Sequence, residues 1–361
     1  MKIFQVSSYR LLCYICTLLL CLATGCNKKG TGRILDRFPN SEMLSPCDSL
    51  DLETFGIIEP IAIAKIDSIL VISTKMAPYG LTLINLKDST VINCIHKGRG
   101  PGEMTFFKTW SIANDTVIVY DSNLKKRINI FITPSIIGKQ YSYAEELIDV
   151  KPKGLKLFRP VQLLPFHNGY LVTGLFDPPF WYGIIDNDYE LVSTVDINHF
   201  KELTKLKSAD MTMIHQTSYL SVNPSGDRIV SVMLNADVIS FTEVNNNNIH
   251  EYLRIVDSSP SISLTRISGL PVLTHDEDSS HSFVDVDSND NHVYLLYSGK
   301  KILDEAPAYE CYYLLVMTWS GEFVTKYKLS HSLRHFRLCG DKIIGCSSYP
   351  NAKMYVYEIP M

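Results

Sequence analysis

The 361-residue sequence has no apolar run long enough to cross a bilayer. Its longest, "LLCYICTLLLCLA" from Leu11 to Ala23, holds 13 apolar or near-apolar residues, against the ~20 that a spanning helix needs. It has no surplus of positive charge either. Lys and Arg number 34 against 38 Asp and Glu, a net of −4, so no basic surface for nucleic acid is indicated. Helical periodicity is scarce: only "YAEELIDV" (Tyr143 to Val150) and "HFKELTKLKSADM" (His199 to Met211) lean towards helix. A Gly-x-Ser-x-Gly elbow is missing, which removes the usual frame for a nucleophilic serine.

What is present begins with an export signal. Lys2 and Arg10 precede the 13-residue run, which has the length of a signal-peptide core. Small residues in "ATGC" then lead to Cys26, and this resembles the lipobox of bacterial lipoproteins, whose cysteine is lipidated and becomes the N-terminus. Ala23 stands where that motif usually has leucine, and a plain secretory signal cut near Ala23 is the alternative. The expected division is a signal peptide over 1–25, a flexible tether over 26–44 and one folded domain over 45–361. Loss of Lys2 and Arg10 with the signal leaves a net of −6. The tether lacks the acidic run that marks surface export in related lipoproteins, so the expected site is the bacterial envelope, facing the periplasm rather than the cell surface. Cys47, Cys94, Cys311, Cys339 and Cys346 remain, an odd and scattered set that is no disulfide framework. A turn at Gly340-Asp341 would set Cys339 opposite Lys342, away from Cys346.

The rest of the chain repeats. Six times an apolar or alternating run meets a short Asn/Asp/Gly turn and a second β-rich run, starting at Ile61, Trp110, Val161, Leu220, Phe283 and His335. The spacing of about 50 to 63 residues suits a propeller blade with variable loops. Third and fourth runs follow in most units, as in "CYYLLVMTWS" and "GEFVTKYKLS" with Ser320-Gly321 at a hairpin tip. The sixth unit has room for one more strand only, so its outer strand is expected from Ser45 to Phe55, closing the ring and covering a blade edge. The fold expected is all-β: a six-bladed propeller of four-stranded antiparallel blades.

"KGRGPGEM" (Lys97 to Met104) follows the first unit. A phosphate loop needs a helix after it, but strand-like "FFKTWSIAND" comes next, and Pro101 removes a backbone donor. Pro101-Gly102 suits the centre of a type II turn. Gly98, Arg99, Gly100, Pro101, Gly102 and Glu103 are therefore read as an inter-blade turn, with Arg99 and Glu103 pairing with each other or touching the next blade. On this motif and the lipoprotein start, the chain resembles the TolB-like six-bladed β-propeller lipoproteins and, more distantly, NHL-repeat propellers. Met104 stands where that family has a large aromatic. The resemblance implies architecture and envelope location, not a reaction.

Candidate sites are few. His275, Asp276, Asp278 and His281 in "THDEDSSH" carry metal-ligand chemistry, although a solvated acidic loop is the favoured reading. "DVDSNDN" starts like a calcium loop but has Asp290 at the glycine position and Leu296 at the glutamate. His331, His335, Cys339 and Cys346 lack zinc-site spacing. Phe180, Trp181 and Tyr182 in "FDPPFWYG" read as inter-blade core or as an aromatic ligand rim. No catalytic residue, metal or cofactor is assigned. Asp285 and Asp287 are the inner-strand acids from which a catalytic set would start. The expected function is a binding or scaffold protein, monomeric, held to the membrane by its lipid alone, with an envelope protein or polysaccharide as partner and no nucleic acid. The alternative is a glycan- or peptide-acting enzyme with its site in the central channel.

Overall fold

Each repeat folds into an antiparallel four-stranded sheet, and six such sheets form the blades of a ring. The computed structural model describes residues 34–360, apart from 76–77, 108–109, 149–151, 197–217, 247, 259–262, 268–269, 276, 278 and 304–306. The expected signal peptide, Cys26 and the segment 199–211 lie outside the described residues. The innermost strands are Pro60–Ile66, Trp110–Ala113, Leu157–Phe166, Ser218–Val222, Ser280–Ser288 and His335–Cys339. Five of the six turns that follow them hold a left-handed residue: Asp67, Asn114, His167, Gly226 or Gly340. That requirement explains the Asn/Asp/Gly signal at the turns.

The blades pack face to face, so their middle strands are apolar on both sides, whereas outer strands such as Leu191–Val195 are partly exposed. In His292–Lys301, Val293, Leu295 and Tyr297 join a core shared with the fourth blade, whereas Tyr294 and Leu296 join one shared with the sixth. Successive side chains point to opposite faces of a sheet, and here each face meets a neighbouring blade. Six such clusters, one per junction, run round the ring. At roughly 1.5–3 kcal/mol for each large apolar side chain buried, these junctions dominate the stability of the ring.

Closure follows the sequence expectation. Asp48–Asp51 pairs antiparallel with Lys353–Glu358 and supplies the outer strand of the last blade. Cys339 lies opposite Lys342, and all five cysteines are free. The structure adds a second strap: Ser41–Leu44 runs parallel to Phe323–Leu333 at the outer edge of the fifth blade. Ile34 and Phe38 are buried in the core between the fourth and fifth blades. From Ile34 onward, therefore, the segment expected as flexible tether is part of the ring, because its apolar side chains and strand edge are covered.

Two local expectations are corrected. Tyr143–Leu147, which leans towards helix in sequence, is the outer strand of the second blade and pairs with Lys126–Phe131. Its backbone completes a sheet edge, and that pairing outweighs the helix preference of Ala-Glu-Glu-Leu. The helix lies just before it, over Ile132–Gly138, with Pro134 in its first turn and Lys139 left-handed at its C-terminus. A two-stranded hairpin, Ser263–Ile267 with Leu270–Thr274, is inserted between the fourth and fifth blades.

Candidate functional site

The six inner strands enclose a channel. One part is a cavity of about 420 Å³ that reaches Ile66, Ile112 and Cys339; the other, about 370 Å³, opens where the inner strands begin. Trp110, Leu164, Leu220 and Arg337 line both. Lys75, Gln162, Tyr219, Tyr309 and Arg334 surround the second cavity, which we call the mouth.

Asp285 and Asp287 do stand on an inner strand, but their oxygens are committed to the neighbouring blade. Asp285 accepts from the Phe336 backbone N–H at 3.0 Å and from Arg337 at 3.3 Å, and Asp287 accepts from the Leu338 N–H at 2.8 Å. His335 continues the seam: its Nδ1 accepts the Ile63 N–H at 3.1 Å, and its Nε2 lies 3.5 Å from the Asp285 carboxylate. On the other side, the Ser221 hydroxyl bonds that of Ser288 at 2.9 Å. One polar seam thus links the fourth, fifth, sixth and first blades. Burial pushes the Asp285 carboxyl up to about 6, although Arg337 pulls it down. Burial, reinforced by Arg337, holds His335 well below the ordinary imidazole range. A neutral imidazole is what an accepting Nδ1 requires. Glu310 behaves likewise: the hydroxyls of Ser332, Ser347 and Ser348 and the Ser348 N–H all donate to it, within 2.9 Å.

Beside the mouth, "GRGPGE" forms the expected turn. The Glu103 N–H donates to the Gly100 carbonyl at 3.1 Å, and Gly102 has φ of +67°. That is the type II arrangement, which favours glycine at its third position. The Glu103 carboxylate folds back to accept the Gly100 N–H at 2.7 Å and fills the space a Gly98 Cβ would need. Arg99 is exposed and makes no ion pair with Glu103. The second blade braces the turn. Glu145 accepts the Gly102 N–H at 2.7 Å, and the buried Lys126 ammonium donates to Gly100 O at 2.9 Å. Asp121, fully buried, then accepts the backbone N–H groups of Thr105 and Phe106. Phe106 and Phe107 are thereby set on the wall of the mouth, with the Phe107 ring lying where a Gly80 Cβ would be 2.6 Å away.

A family model for the TolB-like 6-blade propeller-like proteins matches residues 39–339. The chain belongs to this family. Among solved structures, the TolB-like chain is similar to an exported protein of Bacteroides fragilis, with 12% identity, 89% of this chain and 99% of that one covered, and a TM-score of 0.51. It is also similar to a member of the DUF4221 family from Bacteroides vulgatus, at 9% identity, 87% and 97% coverage and a TM-score of 0.50. At these identities the likeness speaks for the fold alone. No curated protein sequence matches the chain.

The other expected sites of this TolB-like propeller resolve as follows. Phe180, Trp181 and Tyr182 are 4%, 0% and 0% exposed, so they form inter-blade core and not a ligand rim. The Trp181 indole N–H donates to Ser218 at 2.9 Å, and the Tyr182 hydroxyl bonds Thr242 at 2.5 Å, which satisfies both polar tips inside that core. Of the low-ranked metal set, Asp276 and Asp278 lie outside the described residues. His275 is exposed and His281 buried, with ring centroids 6.4 Å apart. Among the described residues no group of three His, Cys, Asp or Glu side chains converges for a metal. The residues around the mouth were missed in sequence, because Arg, Lys, Gln and Tyr side chains scattered over five units carry no local motif.

Proposed function

We propose that this TolB-like propeller is an exported, lipid-anchored binding protein of a bacterial envelope, which takes its ligand at the channel mouth and does not transform it. One observation carries this reading: the acids and imidazole that would begin a catalytic set are spent on inter-blade hydrogen bonds, leaving cations, an amide and aromatic faces towards the cavity. General acid–base work needs a titrating group within reach of the ligand, and a carboxylate saturated by backbone donors is poorly placed for it. The lipid anchor rests on "ATGC" and Cys26. In a membrane fractionation assay, Cys26→Ser is expected to move the protein to the soluble fraction; a variant still membrane-bound would overturn the anchor. The binding reading is tested by mild crosslinking and affinity purification of the tagged full-length protein from its native envelope. A protein or polysaccharide recovered with wild type and lost with Arg334→Glu supports it. Recovery that is indifferent to Arg334, or turnover of the captured component, refutes it.

A further inference from the structure

The charge at the mouth runs against the charge of the chain. The sequence as a whole is acidic, yet Lys75, Arg334 and Arg337 face one cavity whose lining holds a single carboxylate, Asp285. That carboxylate already accepts the Phe336 N–H and is paired with Arg337. Lys75 and Arg334 enter no ion pair among the described residues. Among the described residues the Arg334 guanidinium makes one hydrogen bond, to the Ser348 hydroxyl at 3.3 Å, and lies 5.3 Å over the Tyr309 ring, a placement that leaves donors free. Ser348 donates in turn to Glu310, a carboxylate that Ser332 and Ser347 also hold. Gln162 spends its Oε1 on the Thr173 hydroxyl at 2.8 Å, which leaves its Nε2 donor for the cavity. The walls between these donors are flat: Phe106, Phe107, Trp110, Tyr219 and Tyr309.

Resting on the binding reading above, we propose that the mouth is a subsite for an acidic sugar, a pyranose carrying a carboxylate. The carboxylate sits among Lys75, Arg334 and Arg337, the ring lies against the aromatic wall, and Gln162 donates to a hydroxyl. Charge-assisted hydrogen bonds from guanidinium suit a carboxylate, and aromatic faces suit the apolar face of a sugar ring. The cavity of about 370 Å³ falls at the small end of ligand pockets, roughly 300–1,000 Å³. That size suits one or two sugar rings better than a stretch of folded partner.

The test is calorimetric titration of the full-length protein with disaccharides of galacturonate and of glucuronate, alongside the neutral galactose and glucose disaccharides. An acidic disaccharide is expected to bind at least about tenfold more tightly than its neutral counterpart, the value of one charge-assisted hydrogen bond. Its affinity is expected to fall as salt rises. Arg334→Gln and Lys75→Gln are each expected to weaken it about tenfold, with the thermal midpoint kept because neither side chain holds an ion pair. Equal binding of neutral and acidic sugars, no binding of either, or variants that bind like wild type would each overturn the acidic-sugar assignment. A new reducing end in the incubation would overturn the binding reading itself, so the two failures are distinguishable.

Discussion

Replacing Asp285 separates a fastener from a catalyst. The side chain is buried, and its Oδ2 accepts the buried Phe336 N–H and one Arg337 N–H. Asp285→Ala removes the acceptor, and a buried donor left unpaired costs about 1–3 kcal/mol. With the small void added, the expected loss is about 2–3 kcal/mol relative to an uncharged side chain that keeps the acceptor. Asp285→Asn keeps an acceptor and gives up the charge. Burial raises this carboxyl to about 6, roughly two units above its unfolded value, so at pH 7 the ionised form costs the fold on the order of 3 kcal/mol relative to the protonated one. The amide escapes that cost, while Arg337, about a third exposed towards the channel, keeps access to water. Asp285→Asn is therefore expected to be more stable than wild type at pH 7.5, by up to about 3 kcal/mol. Urea unfolding at pH 7.5, read as midpoint shifts at constant slope, measures both. If Asp285→Ala unfolds at the Asp285→Asn midpoint, the hydrogen bond to Phe336 is not holding the seam, and the carboxylate returns as a candidate for chemistry.

Two further outcomes follow from the same geometry. Gly102→Ala forces a Cβ into left-handed backbone, 2.6 Å from the Tyr143 ring; about 1–2 kcal/mol from backbone alone is expected, measured as a drop in unfolding midpoint, whereas Gly154→Ala, left-handed with open space around it, should lose only the backbone part. Burial, helped by His275, lowers His281 to about 4. Its stabilising contribution is present above the unfolded imidazole pKa near 6.5 and is lost as pH falls from there to about 4, by about 3 kcal/mol in all; His281→Phe should flatten the stability–pH curve in that window, and an unchanged curve would refute the assignment.

The ring was legible because its signals are local. Five of the six first turns hold one residue with positive φ, and Asp67, Asn114 and Gly340 advertise it. The closing strand is expected within Ser45 to Phe55 because the sixth unit visibly lacks a strand, and Asp48–Asp51 supplies it. The type II turn at Pro101-Gly102 was likewise readable from two residues. What failed to show was anything decided across blades. Whether Tyr143–Leu147 is helix or strand depends on an open sheet edge beside it, not on its own side chains. Trp181 looks the same in sequence whether it meets solvent or Ser218. The mouth is assembled from scattered residues of six units, and the second strap, Ser41–Leu44, pairs with a strand some 280 residues away.

Ring closure and the chemistry of the mouth are one problem in this molecule. No disulfide closes the ring among the described residues, and the outer edges of the fifth and sixth blades are held by the two straps of the N-terminal segment. The inner edges are held by polar side chains: Asp285 and Asp287 reach from the fifth blade to backbone N–H groups of the sixth, and His335 reaches from the sixth to the first. Glu310 adds a third acid to the same side of the ring. Backbone N–H groups accept no substitute for a hydrogen-bond acceptor once buried, so closure consumes the acids on this side. Backbone N–H groups offer cations nothing, and those cations that brace the ring, such as Lys126 on Gly100 O, do so through carbonyls. A ring sealed by carboxylates on backbone donors thus leaves its positive side chains, Lys75 and Arg334, unpaired at the channel mouth, and an acidic chain ends with an opening suited to anions.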